Sequence, residues 1–239
     1  TYIPLLNAIA ELYNEGLSAN LTIGLTPVLC EQLADEHIKD GFETYLQARI
    51  KAARQDEGRY TNRGSDPNPE LHHLSRFYLN WFLSIEKDFK EKWNRDILAG
   101  FKKYQDLGAI EITTSAATHC FSPLLEEDVS LQAQFQTGVD NYRKHFGRAP
   151  KGFWLPECAY RPSKEERAGI EKFLHEAGIE YFFTESFVIK GGETAEVRRV
   201  VGPYGSVQYL SSATTTNTGL DTYEAFWLKD YQVAVMGRH

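Results

Sequence analysis

The sequence predicts an α/β protein organised around a parallel sheet. Two observations carry that expectation. From Gly108 onward, short apolar runs alternate with stretches of helical periodicity, the pattern of βαβ units. One of these runs, Phe153-Trp154-Leu155, stops at Pro156, which cannot donate to a sheet ladder and so closes the strand.

Taken in order, Ile3–Glu15 has Leu5, Leu6, Ile9 and Leu12 at helical spacing and stops at Gly16. Leu21–Leu25 reads as a short buried strand ended by Pro27. Leu29–Ala34 and the heavily charged Gly41–Arg54 read as helices, followed by the Gly/Asn/Asp/Pro-rich loop Gly58–Glu70. A long helix is expected over Leu71–Lys92, with Leu74, Tyr78, Trp81 and Ile85 on one face. Another is expected over Ile97–Leu107, capped by Asp96. Next come a strand at Ala109–Thr113, a helix at Leu131–Phe146, a strand at Gly152–Leu155, a capped helix at Ser163–Ala177 and a strand at Tyr181–Thr184. The tail is β-like at Val197–Val201, Val207–Leu210 and Val233–Met236, with the polar Ser211–Thr218 and an aromatic loop, Leu220–Asp230, between. No repeat or domain linker stands out, so residues 1–239 read as one domain in which 28–107 is a helix-rich insertion between strands.

The richest segment is Gly-Phe-Trp-Leu-Pro-Glu-Cys-Ala-Tyr-Arg-Pro, residues 152–162. Glu157 falls just past a strand's carboxyl end, where parallel α/β folds carry their chemistry. A carboxylate there, between Trp154 and Tyr160, suits a glycosidase nucleophile or general acid. A strand-end Glu that forms an ion pair or caps a helix is the competing reading. This segment resembles the nucleophile region of glycoside hydrolase family 57, and Glu157–Pro162 resembles its 1,4-α-glucan branching enzymes in particular. Gly108–Pro123 agrees, with its Gly108, Glu111-Ile112 pair and His119 shortly before Pro123, and Gln132–Arg148 between the two also reads like that group.

The resemblance implies a (β/α)7-type parallel barrel, incomplete here, with the helical insertion noted above. It implies that Glu157 is the nucleophile of a retaining, α-glucan-active enzyme of carbohydrate metabolism. The expected reaction is 1,4-α-glucan branching: an α-1,4 bond is cleaved and the chain passes to a 6-hydroxyl. An α-amylase or 4-α-glucanotransferase on the same frame is the alternative, and a non-catalytic carbohydrate-binding barrel is the alternative of another class. The family's first-strand His motif and its acid/base Asp have no match here, so the chain reads as an internal fragment, expected to be inactive alone. The implied partner is an α-1,4-glucan such as amylose or a glycogen-like polymer, with no cofactor.

The other candidates stay open between two roles. His119 matches a His that contacts sugar at the cleavage subsite, or it is a core imidazole bonded to backbone. Tyr160 and Arg161 line the sugar site or orient Glu157, or Arg161 simply neutralises it. Glu111, flanked by Ile110 and Ile112, either supports the site by hydrogen bonding or belongs to a structural ion pair. Trp154 and Trp227 offer stacking faces for glucose, or fill a core. His119 and Glu157 are expected at the carboxyl ends of neighbouring or near-neighbouring parallel strands.

Composition narrows the classes. A net charge of −7 argues against a phosphate-binding surface. Three cysteines with no paired spacing argue against a disulfide framework. No apolar stretch is long enough to span a bilayer, and no leader opens the chain, so a cytoplasmic, membrane-free protein is the default. A Cys158–His119 pair for acyl transfer lacks any motif for an oxyanion hole. A metal centre is disfavoured because His72 and His73 are adjacent and diverge on a helix, and no His-x-x-x-His pair occurs. Sequence leaves the oligomeric state undetermined.

Overall fold

A computed structural model describes residues 1–164, 167–190, 193–202, 205–214 and 218–238, with backbone alone for 193–202 and 205–214. Backbone contacts divide the chain into two compact units: Thr1–Ile23 with Leu29–Glu111, and Gly24–Val28 with Ile112–His239.

The first unit is mainly helical. Its elements are α1 (Tyr2–Asn14), the start of β1 (Leu21–Gly24), most of α2 (Pro27–Ala34), α3 (Glu36–Tyr60), α4 (Pro69–Lys87) and α5 (Ile97–Asp106). Side-chain oxygens set three of the helix starts. Asp35 accepts from Ile38 N at 2.9 Å, Asn68 from Leu71 N at 3.0 Å, and Asp96 from Ala99 N at 2.9 Å. The single helix expected over Leu71–Lys92 is a correction: α4 ends at Lys87, and Asp88–Lys92 widen into a π turn. Asn7 explains the widening. Its Nδ2 donates to Asp88 Oδ2 at 2.7 Å, and its Oδ1 accepts from Trp93 Nε1 at 3.0 Å, so the extra residue lays Trp93 against α1.

The second unit carries most of the strands. Its elements are β2 (Ile110–Ser115), which begins in the first unit, α6 (Asp128–Phe146), β3 (Gly152–Trp154), α7 (Ile170–Glu176), β4 (Tyr181–Thr184) and α8 (Ser186–Lys190). They are followed by β5 (Glu193–Gly202), β6 (Gly205–Thr214), β7 (Ala225–Leu228) and β8 (Val233–Gly237). Within this unit β2, β3, β4, β8 and β7 are hydrogen-bonded neighbours in that order, and β5 pairs with β6 in a separate antiparallel ribbon. β2, β3, β4 and β8 are successive parallel partners, whereas β7 joins β8 antiparallel. The parallel α/β sheet expected from the alternating pattern is present.

Register sorts the side chains onto two faces. Phe153, Phe182, Val233 and Val235 are buried against Leu131, Phe135 and Val139 of α6 and Ile170, Phe173 and Leu174 of α7. Phe135 and Phe153 rings sit 4.7 Å apart. Trp154, Tyr181 and Phe183 project from the opposite face, half-buried. Gly152 leaves room there for the Tyr181 ring, which a Cβ would strike. Gly138 lets α6 approach the end of β2 backbone to backbone, because a Cβ at 138 would meet the Ser115 carbonyl. Thr114 Oγ1 seals that approach by donating to Gly138 O at 3.0 Å.

Three expectations in this unit are corrected. The helix predicted for Ser163–Ala177 is only Ile170–Glu176. Ahead of it, Ile170 N donates to Arg161 O at 3.1 Å and Lys164 bridges Arg167, while 165–166 lie outside the described residues. The aromatic loop expected at Leu220–Asp230 contains β7, where Phe226 and Leu228 face the core while Trp227 is exposed. Ser211–Thr214 of the expected polar linker belong to β6, and 215–217 lie outside the described residues. Among the described residues, no helix is long and apolar enough to cross a membrane.

Candidate active site

Parallel strands point their carboxyl ends the same way, so whatever follows β2, β3, β4 and β8 lies on one rim of the sheet. Pro156 ends β3 and starts a single 3-10 turn, Pro156–Cys158, closed by Cys158 N donating to Leu155 O at 2.8 Å. Within it Glu157 takes φ 55° and ψ 22°, and Cys158 takes φ 51°. Left-handed backbone is unfavourable for residues with a Cβ and persists only where the surroundings impose it. Here burial of Pro156 and Cys158 on either side imposes it, and the turn thrusts the Glu157 side chain into solvent above the rim.

The far end of the turn is stitched to β4. Cys158 O accepts from Thr184 Oγ1 at 3.1 Å and from Glu185 N at 3.2 Å. Thr184 is fully buried, so the turn is anchored from inside the protein. Burial also pushes the Cys158 thiol up from its ordinary value, which keeps it protonated at neutral pH. A thiolate–imidazole pair with His119 is therefore not supported.

On the other side, β2 pairs in parallel with β3, with Ser115 beside Trp154. Four residues past that end, His119 also takes a left-handed conformation, φ 53°, and is exposed. Ser115 Oγ connects the two strand ends: it donates to Trp154 O at 2.8 Å and lies 3.1 Å from His119 Nδ1. With Nδ1 so occupied, Nε2 is the ring nitrogen left to meet a ligand.

The remaining candidates are dispersed. Trp154 lies half-buried on the aromatic face, 5.4 Å from Phe183 with the rings tilted by 38°. Tyr160 turns toward the helix layer instead. Its ring stacks on Phe182 at 5.6 Å, and its hydroxyl donates to the buried carboxylate of Glu171 at 2.7 Å. Burial and that bond push its phenol well above the usual range. Arg161 donates through Nη1 to Ala168 O at 2.9 Å, inside its own loop, and desolvation pulls it below its ordinary value. Neither side chain is aimed at the Glu157 carboxylate. Glu111 sits on β2 four residues before Ser115, roughly 13 Å below the rim at about 3.3 Å per residue. Its Oε1 is buried with no hydrogen-bond partner among the described residues. Trp227, opposite Ala234, lies three residues short of the β8 end.

Sequence reading overlooked two residues on the same rim. Glu185 follows β4 and Arg238 follows β8, and their side chains form an ion pair, Arg238 Nη2 to Glu185 Oε1 at 2.6 Å. Neither stands in a recognisable motif, and Arg238 lies 53 positions after Glu185 in the sequence. By contrast, an apolar cavity of about 460 Å³ in the helical unit, walled by residues such as Phe42, Leu46, Trp81 and Ile85, presents no carboxylate or imidazole.

A carboxylate and an imidazole follow the carboxyl ends of adjacent parallel strands, the edge of the sheet where α/β folds place their ligand sites. The chain belongs to Glycosyl hydrolase family 57, whose profile matches residues 1–235. It is 39% identical, over its whole length, to a 1,4-alpha-glucan branching enzyme of Thermococcus kodakarensis, and spans 34% of that relative. The crystal structure of a GH57-type branching enzyme from Pyrococcus horikoshii superposes with a TM-score of 0.83 at 36% identity, covering all of this chain and 41% of that one. An alpha-amylase from Thermotoga maritima superposes at 0.71 with 28% identity, covering all of this chain and 39% of that one. The chain thus spans between a third and a half of the relatives it matches.

Proposed function

We propose that this chain contributes the nucleophile and part of the sugar site of a 1,4-α-glucan branching enzyme. The observation that carries the reading is the Glu157 turn: an exposed carboxylate held in a left-handed conformation one parallel strand from His119. Glu157 attacks the anomeric carbon of an α-1,4 bond. The C1–O bond to the rest of the chain breaks, its oxygen takes a proton from a general acid, and a covalent glucosyl-enzyme remains. The 6-hydroxyl of an acceptor glucan then attacks C1, loses its proton to the same acid/base group and frees Glu157. Water in place of that hydroxyl gives hydrolysis.

His119 Nε2 binds a hydroxyl of the sugar at the cleavage site, with Ser115 fixing the ring. Trp154 provides an apolar face for the glucose ring. Tyr160, through Glu171, and Arg161, through its loop, act by holding the turn rather than by touching sugar. The mechanism needs no cofactor. Branching is preferred over amylase action because of the sequence Glu157–Pro162 and the greater likeness to branching enzymes than to the amylase.

Incubating the full-length protein with amylose and then treating the product with an α-1,6-specific debranching enzyme tests the assignment. Release of new short chains is expected. New reducing ends without debranchable chains would assign hydrolysis instead. Glucan binding with neither product would leave a carbohydrate-binding barrel.

A further inference from the structure

The rim holds more than the two residues that the mechanism uses. Across the order β2-β3-β4-β8, each successive strand is followed by a side chain suited to sugar binding: His119, Glu157, Glu185 and Arg238. The last two are fixed to the nucleophile turn by main-chain bonds. Glu185 N donates to Cys158 O at 3.2 Å, and Arg238 N donates to Thr184 O at 2.7 Å, while Thr184 itself holds Cys158 O. Their side chains are therefore set by the same framework that sets Glu157.

Stability does not account for the pair. Arg238 is 53% exposed and Glu185 25% exposed, and an ion pair that open to water contributes little to folding. Glu185 stands directly before α8, and its carboxylate goes to Arg238. The contact occupies one guanidinium nitrogen, Nη2, and one carboxylate oxygen, Oε1. An arginine has five N–H donors in a rigid plane and a carboxylate has two acceptor oxygens, so both sides retain hydrogen-bonding capacity. Adjacent donors and acceptors with no net charge suit the vicinal hydroxyls of a neutral sugar.

We propose that Glu185 and Arg238 form a hydroxyl clamp that binds a glucose unit of the α-glucan beside Glu157. The clamp rests on the function proposed above. It adds a binding element on the β4–β8 side of the nucleophile, opposite His119 on the β2 side. The pair positions sugar and takes no part in proton transfer.

Maltoheptaose binding by calorimetry, in a full-length protein carrying Glu157→Gln to prevent turnover, tests the clamp. Adding Arg238→Ala should weaken binding on the order of tenfold to a hundredfold, the size of one or two lost hydrogen bonds to a charged group. Glu185→Gln should weaken it by a smaller factor. Arg238→Lys keeps the charge, loses the planar fork, and should fall between, which guards against misfolding of the alanine variant. Melting temperatures should stay close to the parent's. Affinities within twofold of the parent would overturn the clamp while leaving the catalytic assignment intact, provided that protein with Glu157 restored still acts on amylose. A loss of kcat in that restored protein without any loss of affinity would place the pair's action on the turn, and overturn the sugar contact. A Glu157→Gln parent that does not bind maltoheptaose at all would remove the substrate reading and the clamp together.

Discussion

Glu157→Gln in the full-length protein is expected to abolish both glycosyl transfer and hydrolysis while glucan binding stays close to wild type. The amide preserves the shape of the side chain but cannot form the acylal bond to C1. Losses for a nucleophile acting in a covalent mechanism are very large, so residual activity above a few per cent of wild type would exclude Glu157 from that role. Binding should survive because the side chain is exposed and its turn is held by backbone and by Thr184, neither of which the substitution touches. Initial rates on amylose, measured beside the maltoheptaose affinity, decide it.

The second large effect is on stability. Phe153 is fully buried on β3, 4.7 Å from the Phe135 ring of α6, and lies four residues before the nucleophile. Phe153→Ala should cost about 3–5 kcal/mol, from lost burial plus the cavity left between sheet and helix. The same cavity loosens the contact that positions the carboxyl end of β3. A lowered urea midpoint is therefore expected together with reduced activity in the molecules that remain folded. A midpoint unchanged from wild type would mean that α6 does not depend on this contact.

Much of the local geometry around the candidate site was legible in the sequence because its signals are local. Phe153-Trp154-Leu155-Pro156 states a strand and its end within four residues, and Asp96 announces the helix that it caps. What the sequence hid depends on distant partners. Tyr160 reads as part of a catalytic motif, yet Glu171 and Phe182 draw it into the helix layer. Ser163 has the chemistry of a helix cap, but the helix begins only at Ile170, whose N–H is taken by the Arg161 carbonyl. Trp227 looks like one member of an aromatic loop because a four-residue strand gives too few alternations to show which residues face the core. Glu185 and Arg238 are the extreme case. Each is an ordinary charged residue until the pairing of β4 with β8 places them side by side.

The central claim is that Glu157 forms a covalent bond to glucose. A 5-fluoro-α-glucosyl fluoride slows breakdown of such an intermediate because the fluorine destabilises the oxocarbenium-like transition state. After incubation with the full-length protein, peptide mapping by tandem mass spectrometry should find a single fluoroglucosyl adduct on Glu157 within Gly152–Arg161. An adduct on Glu185 or Glu111, or turnover of the fluoride with no adduct on Glu157, would contradict the account.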